Sequence, residues 1–519
     1  KKSRFFMKSR RLLLLAGIVF PSSVVLVALL SGPTSVPSDP EGLLAPPPIW
    51  NLCRRGFHLF VTMAPLVVLT PALLLPERHF PTLRHGFNLA SVHALESAGA
   101  AFIKWGQWAS TRPDLLPTSL CDQLSTLQSG APRHSYAVTH AEVSRALKAP
   151  LSTYFDRFDV DPFASGSIGQ VHLAQLQSEL VAVKVRHPEV ELELQTDFYI
   201  MSWAAALVQR LPGLEWFDAQ STVQQFGLTL VAQVALDDEA QHLRQMGHNF
   251  RRWRDVKLPR VLFASETVLI ETYAPGVPVS QYTTAAGREL LTAAQRHLIV
   301  IRGVEIYLKM LLHDNLMHAD MHPGNILFDK ARSTITLVDT GLVAVLTAGE
   351  RRNFIGFLQA LGDGDGRRAA QCVLGWSVQQ VCEDEEGFRR DMGTMFRETC
   401  NGYGTGIHLG NVLRAVLELV RHHRVRIGAN YMTLVVNALC LEGMARSLVP
   451  QYNVIDAAQP LLVAYDKLPR PVFVGLLPLL RVFKTVGDKA ARRHAERQQR
   501  LGRPLSLRSI GFGRRVVVV

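Results

Sequence analysis

The segment HADMHPGNILFD, His318 to Asp329, constrains this chain more than any other, together with TLVDTGL at Thr336–Leu342. Asp320 and Asn325 lie five positions apart, and Asp339 follows fourteen positions after Asn325. The apolar residues between them predict two short buried strands joined by a turn, which would bring Asn325 and Asp339 together. An amide oxygen and a carboxylate are ligands that suit Mg²⁺, which neutralises charge on nucleotide phosphates. The spacing therefore predicts a site for phosphate and magnesium chemistry.

The same loop has two other interpretations. His318, Asp320 and His322 alternate, so on an extended segment they could face one way as ligands of a transition metal. That alternative leaves the Pro323-Gly324 turn without a role. A solvated loop that binds nothing is the third interpretation.

A second anchor lies upstream in VAVKV, at 181–185, where alternation along a strand places Lys184 opposite the three valines. Fifteen residues before it, Gly169 belongs to the small-residue turn PFASGSIGQVH, whose backbone N–H groups could approach phosphate. A small-residue turn, a strand lysine and an Asp/Asn/Asp set in this order match the protein-kinase pattern. We therefore predict Lys184 and Asp320 as catalytic groups, and Asn325 and Asp339 as the ligands of Mg²⁺.

Kinase geometry also requires a helix glutamate to orient the lysine, and a hinge that follows a strand. Glu239 in ALDDEAQHL is the candidate for the first role, with Asp237 and Asp238 as alternatives. VLIETYAPG is the candidate hinge, with Glu271 and Tyr273 near the position where backbone groups would meet an adenine.

The predicted fold class is α+β, a two-lobed protein-kinase-like fold with an amino-terminal helical extension and a mainly helical C-lobe. Residues 163–186 are predicted as strands and residues beyond 345 as nearly all helical. The predicted segments are a targeting or membrane segment at 1–30, a proline-rich linker at 31–48, a candidate transmembrane segment at 57–76, the helical extension at 87–150, the N-lobe at 151–275, the C-lobe at 276–460 and an apolar, basic tail at 461–519.

Composition favours a globular protein in a reducing compartment that has some contact with a membrane. The chain is 48% hydrophobic and 19% charged, and its six cysteines are scattered without a disulfide-rich spacing. The net charge of +12 suits anionic lipid or an imported mitochondrial protein, and no nucleic-acid partner is expected because no RNA-binding signature is present. The acid-free, basic start resembles a transit segment, although the apolar stretch at 12–30 could be a signal anchor. A buried helical hairpin is the alternative to a transmembrane segment at 57–76.

These motifs, taken with KWGQWASTRPDLLP at Lys104–Pro117, resemble the UbiB/aarF-domain family of atypical kinases, in its mitochondrial branch. The resemblance covers roughly 98–450, and its most specific part is the K-x-G-Q motif formed by Lys104, Gly106 and Gln107. In the family this motif lies on a helical extension that covers the site where a protein substrate would dock, which implies a regulatory role.

The resemblance also implies which residues bind nucleotide. Lys184 resembles the lysine that contacts ATP, and the loop formed by Ala164, Ser165, Gly166 and Ser167 corresponds to the alanine-rich loop of the family. Gly166 makes this loop closer to that of a conventional kinase. The family acid that precedes the helix glutamate is absent, because Ala235 stands at its position.

The resemblance implies an ATPase or small-molecule kinase that uses ATP and Mg²⁺ in mitochondrial lipid or coenzyme Q metabolism, associated with the inner membrane. Its partners would be nucleotide, membrane or anionic lipid, and coenzyme Q biosynthesis proteins. The alternative is a catalytically weak scaffold that is gated by nucleotide.

Overall fold

The computed structural model describes most of the chain between residues 47 and 475. The described residues are 47–69, 81–110, 112, 118–124, 126–127, 133–209, 220, 223–224, 226–227, 230, 233–377, 380, 382–400, 402–406, 408–473 and 475. The predicted targeting segment at 1–30, most of the linker at 31–48 and the basic end of the tail therefore lie outside the described residues.

A helical layer precedes the sheet. Its helices are α1 (Ile49–Leu69), α2 (Pro81–Ala98), α3 (Ala100–Ser110), α4 (Thr118–Leu124), α5 (Tyr136–Leu147) and α6 (Leu151–Tyr154). Leu59, Phe87 and Phe102 form the core of this layer together with Phe198, which belongs to the later helix α7 (Val190–Gln209). The extension is thus built around a core of its own.

The N-lobe contains an antiparallel sheet and a helix that packs against it. Its elements are β1 (Arg157–Phe158), β2 (Ala164–Ser165), β3 (Gly169–Leu176), β4 (Glu179–Arg186), helix α8 (Leu236–Phe250), β6 (Val261–Ala264) and β7 (Val268–Thr272). The sheet order is β1-β3-β4-β7-β6, with β2 paired to β3.

The two faces of this sheet have different partners because side chains alternate along each strand. Val181, Val183 and Val185 of β4 are fully buried in a cluster that includes Val143 of α5. Leu269, on the opposite face, packs against Leu236 and other apolar residues of α8. The valine face of the sheet therefore packs against the extension, and the opposite face packs against the helix that carries Glu239.

The C-lobe is mainly helical and contains small sheets at its junction with the N-lobe. Its elements are β5 (Val256–Lys257), β8 (Val277–Pro278), α9 (Val279–Tyr282), α10 (Ala285–Glu289), α11 (Ala293–Lys309), a π-helical turn (Met310–Asp314), β9 (Met317–His318), β10 (Ile326–Asp329), β11 (Thr334–Leu337), β12 (Val343–Ala344), α12 (Ala348–Asp363), α13 (Gly366–Leu374), α14 (Glu385–Thr399), α15 (Leu409–His422), α16 (Ala429–Leu448) and α17 (Val454–Lys467). The predicted α+β, two-lobed fold class is confirmed, whereas the exact domain boundaries remain predictions.

The structure does not support the predicted transmembrane segment at 57–76. Leu59, Met63 and Leu66 of α1 are buried against α2 and α7, and the Nε atom of Arg55 lies 2.6 Å from Oδ1 of Asp197 on α7. No helix within the described residues is long and apolar enough to cross a bilayer. The absence of charges from this apolar run had suggested that it spans a lipid bilayer. Its described part, 57–69, instead packs one face on protein, as the alternative of a buried hairpin requires. Residues 70–76 lie outside the described residues.

Candidate active site

Lys184 lies at the centre of the candidate site. Its ammonium nitrogen Nζ is 2.6 Å from Oε2 of Glu239 and 3.5 Å from Oδ1 of Asp339. Burial alone would lower the pKa of Lys184, but the carboxylates of Glu239 and Asp339 raise it above its usual value. The lysine is therefore a fixed cation at neutral pH, positioned to meet phosphate oxygens.

Glu239 reaches the lysine because it lies on the buried face of α8. Leu236, Ala240 and Leu243 share that face, and Glu239 is 3% exposed. Asp238 is exposed, and within the described residues neither Asp238 nor Asp237 forms an ion pair with Lys184. The structure therefore brings Glu239, and not its acidic neighbours, to the lysine.

The catalytic-loop residues Asp320 and Asn325 are joined by the side chain of Asn325. Its Nδ2 donates to the backbone carbonyl of Asp320 at 3.0 Å and lies 3.5 Å from Oδ2 of the same residue. The Asp320 side chain is 44% exposed. An accessible carboxylate held beside the asparagine can accept a proton from a hydroxyl or a water.

Asp339 follows β11 at the end of the predicted hairpin. β10 and β11 pair with Ile326 opposite Leu337, and the Val338 N–H donates to the Asn325 carbonyl at 3.1 Å, so the expected hairpin is confirmed. Asp339 has a φ of +58°, a left-handed conformation that is uncommon away from glycine and often marks a functional position. The nearby ammonium of Lys184 lowers the pKa of Asp339 to about 2, with Lys104 as a further contributor.

The donor set at this point fits Mg²⁺. Asp339 is ionised at neutral pH because of its lowered pKa, and its side chain is 52% exposed. Since Nδ2 of Asn325 faces Asp320, its carbonyl oxygen is left for a cation. Oxygen ligands of this kind are those that Mg²⁺ prefers.

The small-residue loop forms a tight hairpin between β2 and β3. Ala164 and Ser165 constitute β2, and the Gly166 N–H donates to the Gly169 carbonyl at 2.9 Å. Within the described residues the buried hydroxyl of Ser167 has no hydrogen-bond partner. An unsatisfied donor in this loop is consistent with a ligand such as phosphate.

Gly169 permits the close contact between this hairpin and β4. A Cβ at this position would lie 2.5 Å from the Val185 carbonyl oxygen, so only glycine fits. The loop is thereby held next to the strand that carries Lys184.

The candidate hinge differs from expectation in one detail. The Tyr273 N–H donates to the Leu180 carbonyl at 3.0 Å, so it is not available to an adenine. The Tyr273 ring instead meets the exposed ring of Phe163 edge-on, with centroids 6.4 Å apart. Glu271 lies on β7 and is half-buried.

The K-x-G-Q residues have two kinds of environment. A Cβ on Gly106 would lie 2.3 Å from Cδ1 of Leu127, and Nε2 of Gln107 donates to the Leu127 carbonyl at 3.1 Å. These two residues hold α3 against the segment that follows α4. Lys104 is close enough to Asp339 to lower its pKa, so the extension reaches the candidate site.

Sequence reasoning missed Asn437 of α16, which is 2% exposed. Its Nδ2 donates to the His318 carbonyl at 2.6 Å, and its Oδ1 accepts from the Met321 N–H at 3.2 Å. The amide thus spans the residues on both sides of Asp320. The only signal in the sequence was a single amide within the apolar run YMTLVVNALCL.

Sequence reasoning also missed a network of histidine hydrogen bonds between the extension and the small-residue loop. Nδ1 of His134 lies 2.7 Å from Nδ1 of His187, whose Nε2 bonds to the Gly166 carbonyl at 2.9 Å. Burial and the neighbouring His187 lower the pKa of His134 to about 4, so this ring is neutral. The network connects the segment before α5 to the loop that precedes β3.

The transition-metal alternative is not supported. Nε2 of the buried His318 bonds to the Val338 carbonyl at 3.2 Å, and Nδ1 of His322 accepts from the Gly324 N–H at 2.9 Å. Among the described residues, no three His, Cys, Asp or Glu side chains are grouped so as to hold a metal ion.

Comparison with known proteins decides the family. A family profile described as the ABC1 atypical kinase-like domain matches residues 126–373. The probable protein kinase UbiB of Shewanella halifaxensis is 30% identical over 440 residues, which cover 79% of this chain and 78% of that protein. This chain belongs to the ABC1/UbiB family of atypical kinases. The region that matches the ABC1 domain contains the small-residue loop and every one of Lys184, Glu239, Asp320, Asn325 and Asp339.

Other members of the ABC1/UbiB family match over similar lengths. The probable serine/threonine-protein kinase abkC of Dictyostelium discoideum is 27% identical over 486 residues, which cover 80% of this chain and 69% of that protein. A mitochondrial ABC1 family protein of Schizosaccharomyces pombe is 28% identical over 498 residues, which cover 80% and 71%. The matched ABC1 domain contains neither the K-x-G-Q helix nor Asn437. The alignments with these two relatives are longer than that domain.

Proposed function

We propose that this chain is an ATP-binding ATPase or small-molecule kinase that acts in mitochondrial lipid or coenzyme Q metabolism. The observation that carries the proposal is the contact of Lys184 with Glu239 at 2.6 Å, with Asp339 at 3.5 Å from the same nitrogen. A charged lysine beside an ionised carboxylate is the arrangement that phosphoryl transfer requires. The pathway is proposed from the family resemblance, with UbiB and a mitochondrial protein among the relatives.

Each residue of the candidate site has a distinct task. Lys184, oriented by Glu239, holds the α- and β-phosphates of ATP. Asn325 and Asp339 would hold Mg²⁺, which neutralises charge on the phosphates when it is bound. Asp320, whose carboxylate is accessible beside Asn325, orients the attacking hydroxyl or water and accepts its proton.

The test is nucleotide turnover by the full chain. Asp339→Asn is expected to abolish Mg²⁺-dependent phosphate release from ATP, because it removes the ionised ligand while keeping the side-chain shape. Asp466→Asn is the matched control, since Asp466 is an exposed acid on α17 far along the chain from the site. Unchanged turnover by Asp339→Asn would reject the proposal.

A nucleotide-gated scaffold is the second candidate function. Two observations favour it: Ala235 caps α8 without a side-chain hydrogen bond, and Lys104 of the extension already acts on Asp339. The scaffold predicts that ATP raises the melting temperature of the wild-type chain while no phosphate is released. Measurable wild-type phosphate release that Asp339→Asn abolishes would exclude it.

The proposed location is mitochondrial, at the inner-membrane surface, with coenzyme Q biosynthesis proteins as partners. Support for lipid contact comes from α1, where Trp50, Phe57 and Val61 are exposed on one face beside Arg54. Exposed aromatic residues with a neighbouring cation suit the interface of an anionic bilayer.

Co-flotation of the full chain with anionic vesicles tests the lipid contact. The variant Trp50→Glu/Phe57→Glu is expected to lose flotation, whereas the control Val160→Glu/Leu290→Glu, at two other exposed apolar positions, retains it. Equal flotation of both variants would remove α1 from the proposal.

A further inference from the structure

His187 directly follows β4, the strand that carries Lys184, and it holds the small-residue loop at two points. Its backbone N–H donates to the Ile168 carbonyl at 2.8 Å, and Nε2 of its ring bonds to the Gly166 carbonyl at 2.9 Å. A carbonyl oxygen only accepts, so this ring nitrogen carries the proton. The two carbonyls belong to the residues on either side of Ser167. His187 therefore fixes the backbone around that serine.

The backbone N–H of Ser167 takes its direction from this arrangement. In a trans peptide the N–H points opposite to the preceding carbonyl, so the Ser167 N–H points away from the His187 ring that the Gly166 carbonyl meets. Ser167 is 4% exposed, and its hydroxyl has no hydrogen-bond partner within the described residues. A directed N–H and an unpartnered hydroxyl on one residue suit the oxygens of a phosphate.

His134, in the segment before α5, holds the His187 ring at its other nitrogen. The two Nδ1 atoms lie 2.7 Å apart, a hydrogen-bond distance with room for one proton between them. The His187 ring is thus oriented with Nδ1 toward His134 and Nε2 toward Gly166. A bond at one ring nitrogen of a histidine determines what the other nitrogen does.

His134 is in turn fixed by two buried polar residues, Thr139 of α5 and Gln170 of β3. Its Nε2 bonds to Oγ1 of Thr139 at 2.9 Å, and its backbone N–H donates to Oε1 of Gln170 at 3.1 Å. Nε2 of Gln170 donates back to the His134 carbonyl at 3.2 Å. A continuous chain of hydrogen bonds therefore runs from the extension through two histidines to Gly166.

We propose that His187 positions the small-residue loop for phosphate and that His134 of the extension holds His187 in place, so that nucleotide affinity depends on contact between the extension and the loop. This inference rests on the proposed nucleotide-binding function and adds a means of regulating it. Within the described residues, the hydrogen bonds of His134 do not reach 164–167, so its effect on the loop passes through His187. By linkage, the nucleotide and this contact stabilise each other equally.

The experiment measures the dissociation constant of MgATP with the full chain by calorimetry. His187→Phe and His134→Phe each keep an aromatic ring and remove the hydrogen bonds that the ring makes. Each is expected to weaken MgATP binding by about 3- to 10-fold, which corresponds to one hydrogen bond. The double variant should bind no more weakly than His187→Phe alone, because either change interrupts the same chain of hydrogen bonds.

His140→Phe is the matched control. His140 is exposed on α5, where its ring meets that of Tyr136 on the same helix. This variant should bind MgATP as the wild type does. His134→Asn should recover part of the affinity that His134→Phe loses, because its amide nitrogen stands near the position of Nδ1 and can donate to His187. Melting temperatures check that each variant is folded.

Hydrogen exchange detects the same connection from the side of the extension. Saturating MgATP should slow amide exchange in residues 133–147 of the wild type, because the nucleotide and the histidine contact stabilise each other. In His187→Phe, at a concentration of MgATP that saturates this variant, the slowing should disappear.

The outcomes separate the inference from the function on which it rests. Additive effects of the two phenylalanine substitutions on MgATP affinity, or no effect of either, would overturn the inference while nucleotide binding stands. If a phenylalanine variant does not fold, exchange in the wild type decides, since an absence of slowing in 133–147 also overturns it. If the folded wild type does not bind MgATP, the proposed function and the inference both fail.

Discussion

Replacing Asn437 by alanine removes the two hydrogen bonds that connect α16 to the loop around Asp320. The lost bonds are those to the His318 carbonyl, at 2.6 Å, and from the Met321 N–H, at 3.2 Å. Asn437 is 2% exposed, so water cannot easily replace it. A buried backbone group left without a partner costs about 1–3 kcal/mol. We therefore expect the free energy of unfolding to fall by about 2–4 kcal/mol, allowing for partial relaxation.

The functional effect should be specific to the chemical step. Asn437 touches the residues on both sides of Asp320, and none of its hydrogen bonds reaches Lys184 or Asp339. A small displacement of Asp320 would misalign the attacking group, which costs about 10- to 100-fold in kcat. The dissociation constant of MgATP should stay within about threefold, since the phosphate-binding groups are intact.

Tyr307→Phe is the matched control. The Tyr307 hydroxyl donates to the Leu434 carbonyl at 3.1 Å, so this variant also removes a buried hydrogen bond between α11 and α16. We expect it to lose about 1 kcal/mol of stability without a change in kcat. Urea unfolding and steady-state phosphate release measure the two effects at a temperature where all variants are folded.

The kcat of Asn437→Ala tests whether Asn437 positions Asp320. A value equal to that of Tyr307→Phe would refute the positioning role. If Asn437→Ala does not fold, Asn437→Asp replaces it, because aspartate keeps the acceptor for the Met321 N–H and loses the donor to the His318 carbonyl. Its kcat should still fall, though by less than in the alanine variant.

Three further predictions follow from other contacts. Glu239→Gln breaks the buried pair with Lys184 and should lower the free energy of unfolding by about 3 kcal/mol in urea titrations, with weaker ATP binding; unchanged stability would contradict the pairing. Gly106→Ala should cost about 1–3 kcal/mol, because its methyl group meets Leu127, whereas alanine at Gly247, which has open space, serves as the control. The pKa of Glu271 is about 8 in the folded chain against an ordinary 4.5, so the folded state binds the extra proton between these values and stability falls as pH rises through them. Glu271→Gln should therefore gain on the order of 2 kcal/mol relative to the wild type between pH 6 and pH 8.5, and parallel stability curves would refute that pKa.

Local sequence was sufficient for the parts of the site that depend on strand alternation and short hairpins. Lys184 could be assigned to the cleft face because the valines around it occupy the other face. Asn325 and Asp339 could be brought together because a short hairpin joins β10 to β11. Glu239 could be named from its place within the periodic α8, although three adjacent acids left the choice open until the buried face was known.

Contacts between distant segments could not be read in the same way. Asn437 is more than a hundred residues from the loop it holds, and no local pattern reports which helix will pack there. The raised pKa of Glu271 depends on its burial and on the nearby charge of Glu239, which are properties of tertiary packing. The transmembrane prediction is not supported for a related reason: hydropathy records that α1 is apolar, but not that Leu59 and Met63 would find protein partners.

The charges around Lys184 predict how metal and nucleotide depend on each other. Glu239 and Asp339 supply two charged acids against the two cations Lys184 and Lys104, because the raised pKa of Glu271, about 8, leaves that acid largely neutral at pH 7. A triphosphate without metal therefore enters a region with little net attraction. Asp339 is ionised at neutral pH, since Lys184 lowers its pKa to about 2. Removing one such charge a few ångströms from phosphate should strengthen metal-free binding by about 10-fold.

Asp339→Asn should therefore have opposite effects on two measurements. In the presence of a chelator it should bind ATP more tightly than the wild type, while with Mg²⁺ it should lose both turnover and the metal-dependent gain in affinity. Asp466→Asn should match the wild type in both conditions, because that acid is exposed on α17 and is not one of the candidate site residues. A scaffold residue that merely supports the fold would weaken binding with and without metal alike. Equal weakening would therefore show that the Asp339 carboxylate does not face a cation, and the assignment of the magnesium site would fail with it.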